Sequence, residues 1–288
     1  MLASCSEGQC MPVLETVPVG PHGFHLDNTQ ATAVGAALHE QYIAADPFPH
    51  VFLDDFLDLD LLRALIDEWP TAGHGVAYTR AQERLKFEWQ PIHLKTPRLR
   101  AFLAEMNSEP MLRFLQALTG IPKLISDPYF IGGGLHETRT GGHLSIHADF
   151  NIHKQMNLRR RVNLLIYLND DWDPEWNGAL QLWSRDMRQC RASAQPLMGR
   201  AVVFNTDLDS YHGVPDKIAC PPDRSRRSIA LYYYTAPDDG LDAIPHRTTM
   251  FKRRPGTDDA TDWRMIRQHA VADWLPPVLY RALRGSKR

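Results

Sequence analysis

The triplet His147-Ala148-Asp149 and a later His212 are the residues whose types and spacing offer chemistry first. The triplet closes a strand-like run, Leu144-Ser145-Ile146. Side chains at i and i+2 share one face of a strand, so this imidazole and this carboxylate can aim at one point. Two histidines and one carboxylate on one face of a metal leave coordination positions open, which suits a non-heme Fe(II) oxygenase. The triplet alone is weak, because composition gives about one His-x-Asp per chain by chance. A second one, His25-Leu26-Asp27, precedes any predicted sheet and is read as noise. The simpler reading of His147 and Asp149 is a surface pair with no metal, and only context can displace it.

The context lies downstream. His212 is followed by Arg224-Ser225-Arg226-Arg227-Ser228-Ile229-Ala230-Leu231-Tyr232-Tyr233-Tyr234, a predicted strand opened by a basic cluster. A chelating dicarboxylic co-substrate takes two metal positions with one carboxylate and a keto oxygen. Its far carboxylate then needs a permanently charged, bidentate partner, which an inward arginine supplies.

These residues must be held by a fold, and the chain is long enough for one. Its 288 residues are 43% hydrophobic and 23% charged, so disorder and fibrous classes are excluded for the bulk of the chain. A net charge of -2 argues against a nucleic-acid binder. There is no apolar run of the ~20 residues that span a bilayer, so no membrane partner is expected. Cys5, Cys10, Cys190 and Cys220 form no CxxC pair and read as reduced thiols. Leu2-Ala3-Ser4-Cys5 lacks the basic and apolar regions that precede a lipoprotein cleavage site. A soluble, cytoplasmic protein is expected.

Residues 1–25 read as a flexible tail and 26–126 as a helical support region. In that region Asp58 caps a helix, Thr96-Pro97 and Ser108-Glu109-Pro110 open two more, and Gly120 closes the last. From 127 to 240 the texture changes to short runs rich in Val, Ile, Leu, Phe and Tyr, at 128–131, 144–149, 161–168, 179–183, 200–204 and 227–235, which read as strands. A helical extension follows over 241–288. The fold class is therefore α+β with a mainly β core, a sandwich or barrel with helices before and after it.

Gly132-Gly133-Gly134-Leu135-His136, Gly142-His143-Leu144-Ser145-Ile146-His147-Ala148-Asp149-Phe150-Asn151, Arg161-Val162-Asn163-Leu164-Leu165-Ile166-Tyr167-Leu168-Asn169, Trp176-Asn177-Gly178-Ala179-Leu180-Gln181-Leu182-Trp183 and Ser210-Tyr211-His212-Gly213-Val214-Pro215 together resemble the Fe(II)/2-oxoglutarate dioxygenases of the prolyl 4-hydroxylase type. The resemblance implies a double-stranded β-helix, a jelly-roll or cupin-like barrel, with Fe(II) on His147, Asp149 and His212. It implies 2-oxoglutarate and O2 as co-substrates, with ascorbate as an optional cofactor, and hydroxylation of a C–H bond with release of succinate and CO2. It maps the co-substrate anchor to Arg227, with Tyr167 as a second contact. Strand parity supports Arg227 pointing inward with Ile229, Leu231 and Tyr233, and Arg226 pointing out with Ser228, Ala230 and Tyr232. Halogenating relatives lack the carboxylate, so its presence here disfavours halogenation.

The substrate is left open between a peptidyl residue, an amino acid and another small metabolite. Two rivals use the same ligands: a non-catalytic cupin-like metal-binding module, and a zinc hydrolase with a bound water. The arginine-headed strand favours the oxygenase, because a hydrolase needs no dicarboxylate anchor. His136 and His143 stand as candidate pocket residues beside a simpler turn or surface role. The basic run Arg159-Arg160-Arg161 reads as a solvated face, and the polar segment 151–161 as a lid.

Overall fold

The structure, a computed structural model, describes residues 11–71, 75–237, 247–263 and 265–267. A β-hairpin, β1 (Thr16–Val19) and β2 (Gly23–Leu26), precedes helix α1 (Asn28–Ile43). Strand β3 (His50–Leu53), helix α2 (Leu59–Asp67), strands β4 (Val76–Arg80) and β5 (Glu83–Trp89), and helices α3 (Pro97–Glu105) and α4 (Glu109–Thr119) follow. Then come β6 (Ile125–Ser126), β7 (Gly134–Ala148), β8 (Ile152–His153), β9 (Leu158–Tyr167), β10 (Leu180–Trp183), β11 (Cys190–Ala194), β12 (Ala201–Asn205), β13 (His212–Val214), β14 (Arg226–Thr235) and β15 (Met250–Phe251).

The helix ends follow the sequence signals. The Asp27 and Asp58 carboxylates accept the Gln30 and Leu61 amides at 2.7 and 2.8 Å. Gly120 ends α4 in the left-handed region at φ 70°. Asp27 of the discounted His25-Leu26-Asp27 triplet is thus a helix cap, and His25 reaches Glu105.

Two stretches depart from expectation. Residues 16–26 are a hairpin, with Leu14 and Phe24 buried, so the tail read over 1–25 is shorter; residues 1–10 lie outside the described residues. The expected strand at 128–131 is a turn. The Asp127 carboxylate accepts the Tyr129 and Ile131 amides, and Phe130 sits at φ 49°. A carboxylate that captures nearby amides competes with a strand ladder. Most of the expected C-terminal helical extension also lies outside the described residues.

Thirteen strands form one antiparallel sheet with the path β11-β10-β13-β7-β14-β9-β12-β3, to which β15, β4–β5, β6 and β8 add. The long β7 bends, pairing with β5 and β14 at its start and with β13 at its end. The sheet curls into a nearly closed jelly roll. Its two faces are both buried. Ile229, Leu231 and Tyr233 pack outward into the cluster that holds Phe102, Phe114 and Leu115 of α3 and α4. Tyr167, Leu182, Val202 and Phe204 pack inward with Trp172 and Val214.

Candidate active site

The end of β7, the start of β13 and the β7–β8 turn bring His147, His212 and Asp149 together, with ligand atoms within 4.8 Å of one another. His147 and His212 are direct cross-strand partners. Gly213 permits that approach: a Cβ there would meet the Leu144 and Ser145 carbonyl oxygens at 2.8 Å. Each imidazole Nδ1 lies against the carbonyl two residues back, Ser145 at 2.8 Å and Ser210 at 2.9 Å. A carbonyl accepts only, so Nδ1 carries the proton and Nε2 presents a lone pair. Both Nε2 atoms face Asp149, at 3.5 and 3.4 Å. Burial would raise the Asp149 carboxyl, but Arg160 and the imidazoles outweigh it and hold it well below its ordinary value. Burial lowers His212, which favours the neutral, ligating form. This donor set fits Fe(II), with three positions left for other ligands.

Arg160 and Asn163, both on β9, complete the carboxylate's surroundings. Arg160 Nη2 lies 3.0 Å from Asp149 Oδ2, and Asn163 Nδ2 donates to the same oxygen at 2.9 Å. Arg160 also donates to Asn163 Oδ1 at 3.0 and 2.8 Å. Its guanidinium lies 3.5 Å from the centre of the Tyr232 ring. Oδ2 is therefore engaged and Oδ1 is left for a metal. The run Arg159-Arg160-Arg161 is not a uniform solvated face, because Arg160 is 2% exposed. A shift in the β14–β9 ladder turns Arg160 to the inner face beside Asn163. Nothing in the local sequence signals that bulge, so Arg160 and Asn163 were not legible as site residues. The segment 151–161 is no free lid either. It is the β8–β9 hairpin, with His153 fully buried at 3.3 Å from Asp127.

A cavity of about 340 Å³ runs from the triad along the inner face of the sheet. Arg226, Ser228 and Tyr232 line it, together with Thr138, Leu165, Leu180 and Val214. Arg227 does not. It sits on the opposite face of β14, 5.5 Å from the Trp69 ring, in a surface cleft with Ile66, Asp170 and Arg224. The expected parity is thus inverted. The apolar residues Ile229, Leu231 and Tyr233 face the helices, so apolar did not mean inward on a strand buried on both faces. Arg226 is 7% exposed and its Nε donates to the Gly178 carbonyl at 2.7 Å. Its guanidinium is 4.9 Å from the Tyr167 ring centre. Tyr167 is fully buried, and its hydroxyl lies near that guanidinium without a hydrogen bond of good geometry. A buried cation with an orphaned hydroxyl beside it fits the far carboxylate of a dicarboxylic co-substrate.

The other wall comes from the β4–β5 hairpin, through Tyr78, Arg80, Glu83, Lys86 and Glu88. His136 lines the cavity beside Glu88. His143 is a surface residue whose Nε2 meets the Ala81 carbonyl. Phe251 of β15 covers His147, with ring centres 5.5 Å apart.

Residues 133–234 match the model of the 2OG-Fe(II) oxygenase superfamily. The fold resembles a Pseudomonas putida prolyl-4-hydroxylase, at 21% identity over 70% of this chain and 100% of that one, with a TM-score of 0.51. It also resembles prolyl 4-hydroxylases from Phytophthora capsici, at 19% identity over 75% and 68%, TM-score 0.51. A Trichoplax adhaerens prolyl hydroxylase, solved with a hypoxia inducible factor oxygen degradation domain peptide fragment, aligns at 16% identity over 72% and 91%, TM-score 0.50. No curated protein matches the chain. Residues 133–234 are thus similar to the 2OG-Fe(II) oxygenases, and the fold is similar to that of the prolyl 4-hydroxylases. The fold and the His-Asp-His grouping expected from the sequence stand, and the match over 133–234 agrees with the expected superfamily resemblance.

Proposed function

We propose that this chain is an Fe(II)/2-oxoglutarate-dependent dioxygenase in which His147, Asp149 and His212 hold the metal and Arg226, with Tyr167, holds the far carboxylate of 2-oxoglutarate. The observation that carries this reading is the buried, incompletely compensated Arg226 at the far end of the cavity that holds the triad. A metal-binding module or a hydrolase has no use for that cation. Bound Fe(II) would supply O2 activation coupled to 2-oxoglutarate decarboxylation, giving succinate, CO2 and a hydroxylated C–H bond.

The chain's own residues set the geometry. The Ser145 and Ser210 carbonyls fix both imidazole tautomers. Arg160 and Asn163 hold Asp149 to one free oxygen. Leu165, Leu180 and Val214 line the path to Arg226 and exclude water along the co-substrate. Tyr232, Phe150 and Phe251 shape the space in front of the metal. Ascorbate enters the reading only as a reductant that keeps the iron divalent. The free thiols Cys190 and Cys220 and the lack of a described helix able to cross a membrane support a cytoplasmic setting.

The test is anaerobic loading with Fe(II) and labelled 2-oxoglutarate, followed by air. Succinate and labelled CO2 should appear together, and chelation of the metal should stop both. Metal binding without either product would favour the cupin-like or hydrolytic alternative.

A further inference from the structure

Arg226 is one of two buried charges in the cavity that lack a full counter-charge, and Glu88 is the other. Glu88 is 3% exposed and lines the cavity from β5. Among the described residues it accepts one hydrogen bond, from the Tyr78 hydroxyl at 2.9 Å. Lys86, on the same face two residues away, is already engaged by Glu83 at 2.8 Å. Arg80, the other cation on this wall, is exposed at the rim and makes no pair with Glu88, so the buried Glu88 carboxylate is left without a cation of its own.

His136, the cross-strand neighbour of Glu88, does not repair the imbalance. Its Nε2 lies 3.7 Å from Glu88 Oε2, beyond hydrogen-bond range. That nitrogen is buried and has no partner. Burial and the nearby Lys86 and Arg226 charges hold the imidazole well below its ordinary value, hence neutral. The ring instead engages the Gly132 carbonyl, which leaves Nε2 as a lone-pair acceptor. A buried carboxylate and a buried imidazole lone pair therefore sit side by side on the wall of the cavity that contains the metal ligands. Both are acceptors with unfilled capacity: Glu88 has one donor and no direct ion pair, and His136 Nε2 has no donor at all.

We propose that the hydroxylated substrate is a small molecule bearing a protonated amine, whose ammonium group sits against the Glu88 carboxylate and His136 Nε2. This rests on the dioxygenase reading and narrows it. Size supports a small molecule: the cavity of about 340 Å³ lies near the low end of the range of roughly 300–1,000 Å³ for ligand pockets, and two molecules must share it. Charge supports the amine. At Glu88 itself an anion would meet an unpaired buried carboxylate, and a hydrocarbon would strand both acceptors.

The probe is a small-molecule extract of the producing cells, passed in acid over a sulfonate resin that retains amines. Retained and unretained pools are tested for stimulation of succinate formation by the Fe(II)-loaded enzyme. The retained pool should stimulate. Glu88→Gln should need about ten- to hundredfold more of that pool, the size of one lost charged hydrogen bond, while its 2-oxoglutarate affinity stays that of wild type. Glu88→Asp should recover part of the loss, which separates a charge requirement from misfolding. Stimulation confined to the unretained pool, stimulation equal in wild type and Glu88→Gln, stimulation only by lysine-containing peptides, or stimulation by neither pool would each overturn the proposal. Failure to bind 2-oxoglutarate or to make succinate at all, with or without a pool, would instead sink the dioxygenase reading beneath it.

Discussion

Strand β14 presents two faces that share a backbone and little else. One carries Arg226, Ser228 and Tyr232 into the metal cavity, and the other carries Arg227, Ile229, Leu231 and Tyr233 against helices and surface. The helix-facing side is the more apolar of the two, and beyond its first residue Arg227, whose Nε has no partner, its packing is complete. Tyr233, for example, donates its hydroxyl to the Met106 carbonyl at 2.7 Å and is fully buried. The cavity side is polar and unfinished, with Arg226 buried beside an orphaned Tyr167 hydroxyl. The difference separates a face whose interactions close within the chain from one whose interactions close on a ligand. Stability should reside in the first and chemistry in the second.

Substitutions can break that division, starting at the metal. His147→Ala with His212→Ala should abolish activity and iron retention after anaerobic reconstitution while circular dichroism stays native. Full iron occupancy in this double variant would disprove the ligand assignment. Arg226→Ala should weaken 2-oxoglutarate by roughly 10²- to 10³-fold, because an unpaired buried carboxylate is costly and water recovers only part of the loss. Arg226→Lys should restore some of it, since an ammonium lacks the planar fork. Arg227→Ala should leave 2-oxoglutarate binding unchanged; titrating the two alanine variants side by side decides between the faces of β14.

The outer face should respond in the opposite currency. Leu231→Ala should cost about 2–5 kcal/mol in denaturant unfolding through the cavity it leaves, with 2-oxoglutarate affinity intact. A large affinity change without a stability change would mean the two faces are not separable.

Glu88→Gln gives the smallest expected effect and a sign to check. Burial raises the Glu88 pKa, opposed in part by Lys86 and Tyr78. A carboxyl raised in the folded state favours folding below its ordinary value of 4.5 and loses that contribution as pH rises through the folded pKa. The ligand-free Glu88→Gln protein should therefore gain on wild type as pH rises above that value. Paired thermal melts across pH would show it, and a gap that narrows with rising pH would refute the assignment.

Much of this was legible in the residues. The helix caps, the strands of the barrel and the His147, Asp149 and His212 grouping follow from local signals and spacing that the fold preserves. The anchor arginine was misplaced because the apolar alternation of β14 points at helices, and sequence periodicity does not say which of two buried faces surrounds a ligand. Arg160 and Asn163 were missed because a bulge, not periodicity, turns Arg160 inward. Glu88 and His136 meet only through the pairing of β5 with β7, a non-local register that neither segment announces.

The cavity draws its wall from residues as far apart in the chain as Tyr78 and Phe251. On a ribosome, where chains emerge N-terminus first at about 5–20 residues per second, the helices and the β4–β5 hairpin are exposed long before β14 and β15 exist. The metal ligands His147 and His212 can meet only once β13 has been made, and Phe251 covers them later still. A nascent chain that has not yet reached β13 therefore cannot hold the proposed metal site, whose third residue is His212.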